Sequence, residues 1–123
     1  MKYPGQADYI FDVHLEDFDD RVLRASHEKP LLVDFWADWC GPCHGLAPHL
    51  YRVVEEFAGA IPLAKLEVDE GDNMKLAGHY RVRGFPTVIL FWQGREVARF
   101  ASARASHWIR GWIEAHLPGV PDK

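Results

Sequence analysis

The stretch Val33-Asp34-Phe35-Trp36-Ala37-Asp38-Trp39-Cys40-Gly41-Pro42-Cys43 decides the fold, because in it a buried strand gives way to a helix at a pair of cysteines. With Leu31 and Leu32 in front, the run to Trp36 is almost continuously apolar, as in a strand covered on both faces. Pro42 suits the first turn of a helix, where its missing N–H costs nothing. Cys40 then falls near the N-cap, facing free backbone N–H groups and the positive end of the helix dipole. Both favour a thiolate. Cys43 lies one turn further on the same face and deeper. This spacing predicts an exposed nucleophile, Cys40, that attacks a disulfide, and a second thiol, Cys43, that resolves the mixed disulfide. The alternative is half a metal site, which needs two further ligands; His44 and His49 stand near in sequence.

Working outward, Tyr9-Ile10-Phe11-Asp12-Val13 reads as a first strand and Leu15 to Ser26 as a helix with Phe18, Val22, Leu23 and Ala25 inward. After the cysteines a long helix runs to about Phe57, with Leu46, Leu50, Val53, Val54 and Phe57 at helical spacing and Pro48 inside it. Pro62 to Val68 is a strand, and Asn73 is placed to cap a short helix over Met74 to Tyr80. Thr87 to Trp92 is another buried strand. Gln93-Gly94-Arg95 turns it into Glu96 to Phe100, which predicts an antiparallel hairpin. A last helix covers about Ala105 to Leu117 with Ile109, Trp112, Ile113 and Leu117 inward, stopped by Pro118-Gly119. The order predicts an α/β fold, a central mixed sheet of about five strands with helices on both faces.

The 123 residues suit one domain over 1–123, with 1–8 and 118–123 as flexible termini. Apolar residues make up 48% and charged residues 26%, enough for a real core. A net charge of −4 argues against nucleic acid or an anionic membrane as partner. No apolar run approaches the roughly 20 residues of a membrane helix. Met1 to Asp8 carries one lysine and no apolar block, unlike a secretory signal, so a cytoplasmic location is expected. The two cysteines would close too small a loop to staple a fold, and in a reducing compartment such a pair binds metal or cycles between dithiol and disulfide.

The chain resembles the thioredoxin family. The likeness rests on Val33 to Cys43, on Ala47-Pro48, on Ala64-Lys65-Leu66 with Val68-Asp69, on Arg83-Gly84-Phe85-Pro86-Thr87 and on Gly94, in the family's order. It is strong from Leu31 to Gly94 and extends by layout to the rest. The resemblance implies the thioredoxin fold and reduction of protein disulfides by a monomer without a cofactor of its own. Electrons would come from a flavin- and NADPH-dependent thioredoxin reductase, and the partners would be disulfide-containing client proteins.

The resemblance also implies roles for further residues. Asp34 would be the proton acceptor for Cys43; burial without a cation would raise its pKa. Lys65 would be that aspartate's neighbour, with a possible tuning role. Pro86 would be a cis proline packed opposite the cysteines, leaving the backbone of Phe85 free to pair with an extended client segment. Trp39, Gly41 and Pro42 would join Phe85 and Pro86 in contacting clients, while Trp36 supports the motif from below. Trp92, Trp108 and Trp112 read as packing. Two departures from the family bear on client range. His44 stands where a lysine or arginine is usual. Ser102 stands where a glycine is usual, with Ala101 or Ala103 taking that place if the alignment slips by one. A side chain there would narrow the client groove. Two other readings compete with a general reductase: a dedicated reductant of one partner, and a client-binding module of the same fold.

Overall fold

The computed structural model describes residues 8–117. Of the expected flexible termini, 1–7 and 118–123 lie outside the described residues, and Asp8 sits in a turn. Five strands form one sheet: β1 (Ile10–Asp12), β2 (Leu31–Trp36), β3 (Leu63–Glu67), β4 (Thr87–Trp92) and β5 (Arg95–Ala101), in the order β1-β3-β2-β4-β5. β1, β3 and β2 are mutually parallel neighbours; β4 and β5 run antiparallel. β2 is therefore central, and its side chains alternate between two cores. Leu31, Val33 and Phe35 pack with Phe18, Val22, Leu76 and Ala77, whereas Leu32 packs with Leu46, Leu50, Val53, Ile109 and Ile113. Helices α1 (Gly41–Glu56) and α3 (Ser106–His116) thus cover one face, and α2 (Met74–His79) with the segment from Leu15 to His27 covers the other.

Two local expectations change. The segment after β1 is helical but not one regular helix: a 3-10 turn at Leu15–Asp17, a π-helical stretch at Asp19–Arg24 and a second 3-10 turn at Ala25–His27. Ser26 donates its hydroxyl to the Leu23 carbonyl and accepts from the Gly94 N–H, at 2.7 and 2.8 Å, so the end of this segment is tied to the β4–β5 turn as well as to its own backbone. In that turn Gln93 and Gly94 both have positive φ, 55° and 82°, as a tight two-residue hairpin requires. Trp112 and Leu117 of the last helical segment face inward as expected, half-buried against the core that holds Ile109 and Ile113. Asn73 does not cap α2. Its side chain accepts from the Leu15 N–H, 58 residues back, and donates to the Glu67 carbonyl six residues back, because a fully buried amide must find hydrogen-bond partners.

Candidate active site

The end of β2 delivers the chain to the cysteines through a turn in which the Cys40 N–H donates to the Ala37 carbonyl at 3.1 Å. Cys40 is the N-cap of α1 in extended conformation, and Gly41 and Pro42 fill the first helical turn. The two sulfurs form a disulfide with the Cα atoms 5.3 Å apart. Cys40 Sγ also accepts the Cys43 N–H at 3.1 Å, one of the donors that the start of a helix leaves free. That donor and the dipole favour negative charge on Cys40 once the bond is reduced. One expectation needs correction: in the disulfide form Cys40 is no more exposed than Cys43, 4% against 3%. Phe85, whose carbonyl oxygen lies 3.5 Å from Cys40 Sγ, covers it. What distinguishes the sulfurs is position along the helix.

The Phe85–Pro86 bond is cis and lies against the cysteines, as the resemblance implied. Trp39 is two-thirds exposed, stands edge-on to Phe85 and donates its indole N–H to Asp69 at 2.5 Å. Gly41 and Pro42 are exposed beside it. Asp69 therefore fixes the orientation of Trp39; the sequence reading passed over it, although Val68-Asp69 lay within the resembling segments. His44 donates to the Asp38 carbonyl at 2.7 Å and His49 bonds Ser106 at 2.8 Å, so both nearby histidines are engaged elsewhere than at the sulfurs. Among the described residues no group of three or more His, Cys, Asp and Glu side chains is arranged to hold a metal ion.

On the α1 side of the sheet Asp34 and Lys65 are register partners on β2 and β3, both buried, with Nζ 2.9 Å from Oδ2. Lys65 is thus the neighbour of Asp34 that the resemblance implied, and the carboxylate is not buried without a cation, because strand register brings the ammonium directly onto it. Burial pushes the Lys65 ammonium toward deprotonation, but the Asp34 carboxylate and the Tyr51 phenol outweigh it and hold Lys65 above the ordinary lysine range. Asp34 Oδ1 is buried with no hydrogen-bond partner.

Ser102 joins the site from the loop after β5. Its N–H donates to the Pro86 carbonyl at 3.1 Å. Of residues 101–103 only Ser102 has a left-handed backbone, φ 78°, the conformation that favours glycine. Ser102→Gly is accordingly expected to stabilise the fold by about 1 kcal/mol, the cost of a left-handed non-glycine residue less the chain entropy that glycine adds. For a chain of this size that is a rise in Tm of roughly 3–5 °C by calorimetry. An unchanged or lower Tm would mean that the seryl side chain makes a compensating bond.

A family model described as Thioredoxin matches residues 10–115. The chain belongs to the thioredoxin family. It is 37% identical over 111 residues to the thioredoxin of Acidithiobacillus ferridurans, covering 90% of this chain and 99% of that protein. It is 45% identical over 84 residues to the thioredoxin of Thiocapsa roseopersicina, covering 68% and 88% of the two chains. The thioredoxin of Pseudomonas aeruginosa is 35% identical over 111 residues, 90% of this chain and 99% of that one. Family membership, with a Cys40–Cys43 pair at disulfide distance, makes this protein a thiol–disulfide oxidoreductase of the reductase type. Thioredoxin-type exchange needs no resident cofactor, because the two sulfurs themselves carry the electron pair. No helix among the described residues is long and apolar enough to cross a membrane.

Proposed function

We propose that this chain is a single-domain cytoplasmic thioredoxin that works as a monomer on disulfide-containing client proteins and is recharged by a flavin- and NADPH-dependent thioredoxin reductase. The observation that carries the reading is the Cys40–Cys43 disulfide seated on the first turn of α1. In the reduced protein Cys40 attacks a client disulfide; the client S–S bond breaks and one client sulfur leaves as thiolate. Cys43 then gives its proton to Asp34, forms the bond to Cys40 and expels the second client sulfur. Before that transfer Lys65 balances the negative charge of the Asp34 carboxylate behind the site. Trp39, Gly41, Pro42, Phe85 and Pro86 form the client surface, where the Phe85 backbone pairs with an extended segment. The net charge of −4 speaks against nucleic acid as a partner.

The test is reduction of insulin with dithiothreitol as electron source, together with the redox potential of the pair. Catalysed precipitation and a potential near the roughly −270 mV of a reducing thioredoxin support the reading. A potential near about −120 mV would make the protein an oxidant instead. No acceleration over dithiothreitol alone would leave a client-binding module.

A dedicated reductant is favoured by one feature, a serine at position 102, whose backbone N–H bonds the Pro86 carbonyl. Crowding a packed interface costs about 1–3 kcal/mol, more than the roughly 1 kcal/mol that one neutral hydrogen bond returns. Ser102→Gly is therefore expected to speed reduction of a large folded disulfide substrate and to leave a glutathione-sized disulfide unchanged. Equal rates on both would show that position 102 does not gate access.

A further inference from the structure

The Lys65 ammonium lies 2.9 Å from Asp34 Oδ2, 5.0 Å from the centre of the Trp36 ring and 4.9 Å from the centre of the Tyr51 ring. Both rings are within the roughly 6 Å over which an aromatic face attracts a cation. Trp36 belongs to the same strand as Asp34. Tyr51 comes from α1, about two turns beyond Cys43, and has no part in the exchange described so far. We propose that Tyr51 is a positioning residue for disulfide exchange: it clamps the Lys65 ammonium against Asp34 and thereby sets how readily Asp34 takes the Cys43 proton. This rests on Asp34 being that acceptor.

The arrangement divides the work between the two carboxylate oxygens. Oδ2 is tied to Lys65, while Oδ1 carries no hydrogen bond and is the oxygen left to accept a proton. In the resolving step the Cys43 S–H bond breaks and its proton passes to Oδ1. The Cys43 sulfur bonds Cys40, and the client sulfur leaves with the electron pair of the broken Cys40–client bond. The closer the ammonium is held, the more it favours the ionised acceptor beforehand. Tyr51 is half-buried and borders an open cleft with Ala47, Pro48, Arg52 and Glu55, so it stands between the buried pair and solvent. Without its ring the Lys65 stem has room to carry the ammonium outward to water.

Other charged groups are placed around this pair. Asp12 on β1 is the register partner of Lys65, and Glu67 follows Lys65 on the same face of β3. Glu67 is itself held above the ordinary carboxylate range by burial and by Glu70, Asp38, Asp69 and Asp12. On α1, Glu55 lies one turn past Tyr51, with Arg52 next to it, and the cysteines head the helix. None of these appears among the influences on Lys65, where Asp34 and Tyr51 are the two side chains that raise it.

The test is single-turnover kinetics of the full chain across pH, following formation and resolution of the mixed disulfide separately, in wild type, Tyr51→Phe and Tyr51→Leu. Tyr51→Leu removes ring and hydroxyl, and the midpoint of the resolution step is expected to rise by about one pH unit while attack by Cys40 keeps its profile. Tyr51→Phe keeps the ring and is expected to move that midpoint by about half as much. An unmoved midpoint in a folded Tyr51→Leu overturns the proposal; if that variant does not fold, a wild-type midpoint in Tyr51→Phe does so. Asp34→Asn separates the underlying assumption. Loss of the resolution midpoint in Asp34→Asn, with no further change on adding Tyr51→Leu, supports both readings. A retained midpoint in Asp34→Asn means that Asp34 is not the acceptor, and the role of Tyr51 falls with it.

Discussion

Cys40→Ser should reduce insulin no faster than dithiothreitol alone, and Cys43→Ser should instead accumulate covalent complexes with clients. The difference follows from the helix start. Cys40 is the N-cap, its sulfur accepts the Cys43 N–H at 3.1 Å, and the dipole of α1 adds to that bond in favour of the thiolate. Only the thiolate attacks a disulfide, so replacing Cys40 removes the first step and everything after it. Replacing Cys43 leaves that step intact and removes the sulfur that would displace the client. The mixed disulfide then persists and is visible on a non-reducing gel. The check on the assignment is alkylation of the reduced protein followed by mass spectrometry. Faster modification of Cys43 than of Cys40 would exchange the two roles.

Lys65→Met should destabilise the protein by about 3–5 kcal/mol at neutral pH, read from urea unfolding. The change leaves Asp34 as a carboxylate that is 1% exposed, with Oδ1 already unpartnered and Oδ2 stripped of its ammonium. Removing both charges together, as in Asp34→Leu with Lys65→Met, should recover most of the loss or exceed wild-type stability, because neither ion then has to be desolvated. A single variant as stable as the double one would mean that water reaches the carboxylate. The pair also sets a direction for alkaline pH. Lys65 is held above the ordinary lysine value of 10.5, so its contribution is complete below that value. It is lost only as pH rises through the higher value of the folded state. Asp34→Asn is expected to bring no gain in stability, since it leaves the buried Lys65 ammonium between two rings without its carboxylate.

Much of the fold was legible because it rests on local patterns. The nearly continuous apolar run of β2, interrupted only by Asp34, announces a strand with neighbours on both sides and helices on both faces, and β2 is the centre of the sheet. The heptad-like spacing of Leu46, Leu50, Val53 and Val54 announces the buried stripe of α1. The interruption of the first helical segment was not legible, because Ser26 near its end bonds Gln93 and Gly94 in a hairpin turn far along the chain. Asn73 misled in a related way: at a capping position, its side-chain oxygen was claimed by the Leu15 N–H far back in the chain.

The sequence by itself determined the chemistry. Two cysteines three apart, with proline between them and a buried strand before them, place a sulfur at a helix N-terminus whatever else the chain does. The resemblance named Asp34, Lys65 and Pro86 around those sulfurs, but only the tertiary structure decided how they are held there. Residue spacing carries no information on which strands lie side by side or in what register. The pairing of β2 with β3 sets Lys65 opposite Asp34, and the packing of α1 on that face adds Tyr51. The loop after β5 brings Ser102 to Pro86 through one backbone hydrogen bond. A charge buried next to a charge is physically a different group from a charge buried alone, and that difference is made by contacts between residues far apart in the chain.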